Sequence, residues 1–334
     1  MLVGSKKSNL AAGLLLLGVS LIQLGLLNGV SCADLLVTNR YPSQVLRYGS
    51  ATGAFLGNFA LGGGLSEPTG LVFGPDGDLF VSAAGLNQVL RYDGVTGAFK
   101  SVFASGGGLA GAFGLAFGPS GDLFAANFYS DQVLRFNGAT GASKGVFASG
   151  AGLDAPAGLA FGPGGDLFVA SLFSGQVLRY NGVTGAYAGV FASGGGLGGS
   201  AGPFDLAFGP GGDLFVSNYI NSVLRYDGVT GAPKGVFASG GGLDGAFGLA
   251  FGPGGDLFVA SAFTDQVLRY DGVTGAFDGI FASGAELDEP QFLAFQPVTE
   301  PSAGADFDGD GAVDVDDLAS WKSGFGIGTT HMQG

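Results

Sequence analysis

The chain has 334 residues, 68 of them glycine, only 12% charged, with a net charge of −14. Glycine at this frequency without a Gly-X-Y period excludes collagen, and the Phe and Leu content argues against disorder. Basic residues adjoin only at Lys6 and Lys7, so there is no patch to neutralise phosphates and nucleic acid is not expected as a partner.

Residues 1–33 read as a signal peptide. Lys6 and Lys7 form a positive start, Leu10 to Leu27 is an apolar run, and Ser31-Cys32-Ala33 offers small residues for cleavage before Asp34. The competing reading is a retained anchor, since the run approaches the length needed to span a bilayer. Cleavage predicts a secreted protein, extracellular or periplasmic, with no membrane segment in the mature form. Cys32 is the one cysteine, so the mature chain would fold without disulfides.

A single unit recurs from Asp34 to about residue 297. The copy at Gly248 to Gly284 carries four apolar runs, LAF, DLFVAS, QVLRY and GIFAS, separated by Gly-Pro-Gly-Gly, a short polar loop and Asp-Gly-Val-Thr-Gly. Such runs between turn signals predict four strands with tight reversals, and their near-continuous hydrophobicity predicts sheets covered on both faces. The QVLR motif begins at Gln44, Gln88, Gln132, Gln176, Ser222 and Gln266, a spacing of 44, 44, 44, 46 and 44. Four-stranded units at this period predict an all-β fold, a six-bladed β-propeller. The order is offset: the chain begins with a second strand at Asp34 and ends with a lone first strand at Leu293 to Phe295. Those remnants complete one blade if the ring closes on itself, which removes exposed edges.

Two columns recur in every copy. Asp34, Asp78, Asp122, Asp166, Asp213 and Asp256 open the second strand; Arg47, Arg91, Arg135, Arg179, Arg225 and Arg269 close the third. Antiparallel pairing predicts an Arg–carboxylate bridge in each blade, a scaffold feature. Positions that differ between copies are better site candidates. The residues ending the second strand are Asn39, Ala83, Asn127, Ser171, Asn218 and Ser261. Asp205 replaces the glycine of Gly70, Gly114, Gly158 and Gly248, in a copy with a two-residue insertion near Gly198 to Gly202, and Gln291 and Phe292 break the pattern in the last strand. Asn39, Asn127, Asn218 and Asp205 predict a polar site for a sugar, a small polar ligand or a hydrated cation. The other reading is that the Asn side chains only tie down loop backbone.

Residues 298–305 read as a linker, followed by DFDGDGAVDVDD. Asp306, Asp308 and Asp310 stand at positions 1, 3 and 5 of a calcium loop, Gly311 at the turn, Ala312 at the carbonyl position, and Asp314 and Asp317 at positions 9 and 12. This predicts Ca²⁺ binding by a module at 306–334, with a helix from Val315 to Ser323 bearing Trp321.

The repeated GLAFGPxGDLFVA…QVLRYDG unit over residues 34–297 resembles the NHL-repeat propellers and the related lactonase and streptogramin-lyase propellers. The lyase resemblance implies a catalytic histidine, whereas the one histidine here is His331, beyond the repeats. The lactonase resemblance implies a divalent metal held in the channel by Glu, Asn and Asp, with no motif matching residue by residue. The tail resembles half of a dockerin module, which implies a cohesin-like partner or a cell-surface component. The repeats stay nearly identical, which favours a non-catalytic binding or display scaffold; the alternative is a metal-dependent lactonase-type hydrolase acting in the channel.

Overall fold

The computed structural model describes residues 33–198 and 202–297. The signal-peptide residues before Ala33, the linker at 298–305 and the calcium loop with Asp306, Asp308, Asp310, Ala312, Asp314 and Asp317 lie outside the described residues. Among the described residues no helix is long and apolar enough to cross a membrane.

The chain enters through β1 (Leu35–Asn39), β2 (Gln44–Tyr48) and β3 (Phe55–Ala60). Next come β4 (Pro68–Phe73), β5 (Leu79–Ala83), β6 (Gln88–Tyr92) and β7 (Phe99–Ser105), then β8 (Ala112–Phe117), β9 (Leu123–Asn127), β10 (Gln132–Phe136) and β11 (Ser143–Ser149). The fourth set is β12 (Pro156–Phe161), β13 (Leu167–Ser171), β14 (Gln176–Tyr180) and β15 (Tyr187–Ser193); the fifth is β16 (Pro203–Phe208), β17 (Leu214–Asn218), β18 (Ser222–Tyr226) and β19 (Pro233–Ser239). It finishes with β20 (Ala246–Phe251), β21 (Leu257–Ser261), β22 (Gln266–Tyr270), β23 (Phe277–Ser283) and β24 (Pro290–Phe295). These form six four-stranded antiparallel sheets, a six-bladed propeller.

Closure follows the expected offset. The last strand joins the first three in the order β24-β1-β2-β3. Leu35 pairs with Phe295 and Val37 with Leu293, and the Gln296 N–H donates to the Asp34 carbonyl at 2.9 Å. The Thr38 hydroxyl accepts from the Phe292 N–H at 2.9 Å and donates to the Thr69 carbonyl at 2.6 Å, stitching the closing blade to the next.

The second strands are fully buried along their length, as the continuous apolar runs require. Between blades the core is phenylalanine packed edge to face. Phe80 sits 4.7 Å from Phe103 in its own blade and 5.0 Å from Phe117 in the next, and Phe124, Phe168, Phe215 and Phe258 repeat the arrangement. Each such pair is worth about 0.5–1.5 kcal/mol beyond the area it buries. In the closing blade Leu36 takes the place of the phenylalanine and is equally buried.

Each second-to-third strand hairpin reverses on the face where the second strands end, and each outer hairpin reverses on the opposite face. In the outer hairpin after β6, Asp93 Oδ1 accepts from the Val95 N–H at 3.1 Å, the Thr96 N–H at 2.8 Å and the Thr96 hydroxyl at 2.9 Å. Gly97 closes it at φ +72°, where a Cβ would lie 1.8 Å from the Phe59 carbonyl oxygen of the preceding blade. Only glycine fits.

The predicted Arg–Asp bridges stand on that turn face. Arg91 reaches Asp78 at 2.6 Å, Arg135 reaches Asp122 at 2.6 Å and Arg225 reaches Asp213 at 2.6 Å. Lys100, Lys144 and Lys234 join the same carboxylates from the outer strands. Burial raises the pKa of Asp78, Asp122 and Asp213, but the lysine and arginine bonds outweigh it and hold these carboxyls below the ordinary value. The last full blade departs from the pattern. Asp278 occupies the lysine position there and draws Arg269 to itself, leaving Asp256 3.9 Å away.

Candidate functional site

The three amides predicted from the sequence bond to loop backbone in the structure. Asn39 is fully buried, donates to the carbonyls of Tyr41 at 2.6 Å and Glu286 at 3.0 Å, and accepts from the Asp288 N–H at 2.8 Å. Asn127 accepts from the Ala110 N–H at 2.6 Å and donates to the Gly108 carbonyl at 2.8 Å, with Ser130 as a further partner. Asn218 donates to the Gly196 carbonyl at 2.9 Å. Ser171 and Ser261, in the same column, accept from the N–H groups of Asp154 and Asp244. All five tie the glycine-rich loop that enters their own blade's inner strand, the turn role that Asn and Ser fill readily.

Asp205 is also outside the cavity described below. On β16 it lies in the column where Gly70, Gly114 and Gly158 allow inner strands to approach. A Cβ on Gly114 would lie 2.5 Å from the Ala157 carbonyl oxygen, and one on Gly158 would lie 2.6 Å from Asp205 Oδ1. Asp205 Oδ2 accepts from the Leu249 N–H of the next blade at 3.1 Å, and the Asp205 N–H donates to the Ser217 hydroxyl at 2.8 Å. Burial pushes its carboxyl up to about 7 against the lowering effect of backbone donors. Among the described residues no group of three or more His, Cys, Asp or Glu is gathered to hold a metal.

A cavity opens on the face where the inner strands begin. It measures about 590 Å³ and draws its walls from five of the six blades. Its apolar lining is aromatic: Phe113, Phe128, Phe173, Phe204, Tyr219 and Phe247. Phe204 and Phe247 stack at 4.2 Å, Tyr219 stacks on Phe247 at 5.3 Å, and Phe113 stacks on Phe128 at 4.4 Å. Phe113 and Phe204 come from blades two apart in the ring and meet at 6.1 Å, so rings cover the top of the central channel. Phe204 and Phe247 are buried, whereas Tyr129 and Phe173 at the rim are 73% and 65% exposed.

The local backbone explains the placement. Every inner strand breaks register near its start; in β8 the break falls between Ala112, opposite Asn127, and Leu115, opposite Ala125. A bulge re-aims side chains, and in three blades it contains Phe113, Phe204 or Phe247. Phe128 and Tyr129 are presented by a single 3-10 turn at Phe128–Ser130.

The polar edge is one group. Arg40 donates to Glu289 at 2.7 Å and Glu67 at 3.1 Å, and Gln291 Nε2 donates to the Glu289 carbonyl at 3.2 Å. Burial lowers the pKa of the Arg40 guanidinium, but the bonds to Glu289 and Glu67 outweigh it and hold the pKa above the ordinary value. A side lobe of about 320 Å³ continues from this edge, lined by Arg40, Glu67, Thr69 and Asn87 over the blade where Ala84 and Gly85 leave the rings out.

The bowl is lined from the columns next to the Asn and Gly columns. The column directly after the Asn column reads Arg40, Ala84, Phe128, Leu172, Tyr219 and Ala262, and the column before the inner-strand glycine reads Thr69, Phe113, Ala157, Phe204, Phe247 and Gln291. Both vary between copies, which was the available signal.

No known family profile matches the chain, and no curated protein matches it. Solved structures do. A chain of a nidogen/laminin complex aligns with TM-score 0.67 at 15% identity, over 80% of this chain and 99% of that one. A Bacteroides caccae protein of unknown function gives 0.60 at 14% identity, over 79% and 98%. Virginiamycin B lyase from Staphylococcus aureus gives 0.54 at 16% identity, over 67% and 73%. The likeness is one of fold, shared by an enzyme and a component of a protein complex.

Proposed function

We propose that this protein is a secreted, non-catalytic binding scaffold that seats a ligand in the aromatic bowl and is held in place through a calcium-binding, dockerin-like tail. One observation carries the binding half: the rings that build the bowl occupy positions where the blades differ, on a scaffold whose other positions repeat. A cavity of this size, lined by rings with a few polar groups at one edge, matches a small-molecule site. Its polar groups, Arg40, Glu67 and Glu289, are bonded to one another, which suits binding better than proton transfer. The tail half rests on the spacing of Asp306, Asp308, Asp310, Asp314 and Asp317. A cohesin-like protein or surface component would be the partner there.

The test uses Nile red, a neutral dye that brightens in apolar surroundings. The whole protein should bind it at one saturable site, and Phe128→Ala combined with Phe173→Ala should weaken binding by at least tenfold while leaving the melting temperature within a few degrees. No binding, or equal binding by the variant, refutes the bowl as a ligand site.

A further inference from the structure

The bowl's charge surroundings narrow the ligand class, and this inference rests on the binding reading above. Arg40 is the one cation among the described residues on the bowl face; the other described Lys and Arg side chains stand on the turn face or along the outer strands that rise from it. The loops around the bowl instead carry Asp131, Asp154, Asp244, Asp265, Glu286 and Asp288, in addition to Glu67 and Glu289 at its edge. Arg40 is already bonded to two carboxylates, so an anionic ligand would have to displace Glu289 or Glu67 to reach it.

The rings add to this preference. An aromatic face is negative at its centre, so a cation over it is attracted, most strongly where water is excluded. Within the bowl Phe128, Phe173, Phe204, Tyr219 and Phe247 converge from four adjacent blades, partly from turns at its rim. Among the described residues no lysine or arginine lies over these rings: the Arg–ring contacts are with Phe80, Phe124, Phe147, Phe168, Phe215 and Phe237 on the turn side and with Tyr41 outside the bowl. Phe204 and Phe247 stack on each other and are buried, so the rings open to a ligand are those of the rim, Tyr129 and Phe173.

We propose that the bowl takes a small organic cation: an apolar body carrying a quaternary ammonium or protonated amine, with the positive head over the exposed rim rings Tyr129 and Phe173, among the negative loops, and the body in the cavity below. The negative loops raise the local concentration of such a ligand, and the rim rings add a cation–π contact. A neutral body of the same shape gains the apolar contact alone.

The experiment compares three probes of one size on the whole protein by calorimetry: benzyltrimethylammonium, benzyl alcohol and benzenesulfonate. The cation should bind about tenfold or more tightly than the alcohol, the sulfonate should not bind, and the cation's affinity should fall several-fold between 20 and 300 mM salt. Phe173→Leu keeps apolar area at an exposed rim position and removes the ring; it should cut cation affinity several-fold and leave alcohol affinity unchanged. Equal affinity for cation and alcohol, tighter binding of the sulfonate, or a Phe173→Leu variant that loses both ligands alike overturns the proposal. If Nile red seats in the bowl and the three probes do not rank in this order, the binding reading survives and the cation inference fails. If Nile red does not seat there, both fail.

Discussion

Asp205 gives the ring a pH dependence opposite to that of its other perturbed carboxylates. In the unfolded chain an aspartate has a pKa of 3.8, and in the ring burial lifts Asp205 to about 7. Between those values the folded state holds a proton that the unfolded state has released, so stability falls as pH rises from about 4 to 7 and is flat above. At 1.36 kcal/mol per unit the loss is about 4 kcal/mol, and for a ring this large it corresponds to a fall in melting temperature on the order of 10 °C. Asp78, Asp122 and Asp213 are shifted the other way, so their contribution is lost only as pH falls below the ordinary aspartate value. The two windows barely overlap. Asp205→Asn keeps an acceptor for the Leu249 N–H and cannot ionise. Thermal melts of parent and variant from pH 4 to 8 should converge at the acid end and diverge toward neutrality, with the variant the more stable. Parallel curves would refute the argument that this carboxyl is held protonated between the inner strands.

Asn127→Ala should leave the Ala110 N–H and Gly108 carbonyl without their partner, costing about 1–3 kcal/mol in denaturant unfolding, while dye binding in the bowl is unchanged; lost binding at full stability would return this amide to a site role. Deleting Asp34 to Ser43 removes β1, leaves β24 and β2 as open edges, and should lower the melting temperature and promote association measurable by light scattering. A monomer that melts like the parent would contradict the closure. Trp321 is the chain's one tryptophan, so calcium titration of the whole protein followed by its fluorescence reads the tail directly. A saturable change abolished by Asp306→Ala with Asp310→Ala is expected, and a change that survives both substitutions would place the ion elsewhere.

The fold was legible because its determinants are local and sixfold. The Gly-Pro-Gly-Gly and Asp-Gly-Val-Thr-Gly turns fix strand ends, the QVLR and DLF runs fix burial, and the offset of Asp34 against Leu293 fixes how the ring closes. The Arg–Asp bridges were legible for the same reason, except in the blade where Asp278 diverts Arg269. The site was less so, because it depends on backbone that a column of letters does not display. The register break at the start of each inner strand turns Phe113, Phe204 and Phe247 onto the face, and nothing in an alternating pattern announces it. Asn39, Asn127 and Asn218 vary as a site would, yet each satisfies the same loop that Ser171 and Ser261 satisfy with a hydroxyl. Variation there records two solutions to one turn.

The seam between β1 and β24 has a mechanical meaning. Its two strands run antiparallel, and the ends that lead out of the ring lie side by side, with Asp34 and Gln296 sharing one hydrogen bond. Tension applied between those ends pulls across the ladder and loads a single rung at a time: Gln296 to Asp34 first, then Leu35 against Phe295, then Leu36 against Ala294. A ladder loaded in this way peels at low force, whereas the same bonds pulled along the strands would have to fail together. Under load the molecule would part at this join while the covalently continuous hairpins of the other blades stay paired.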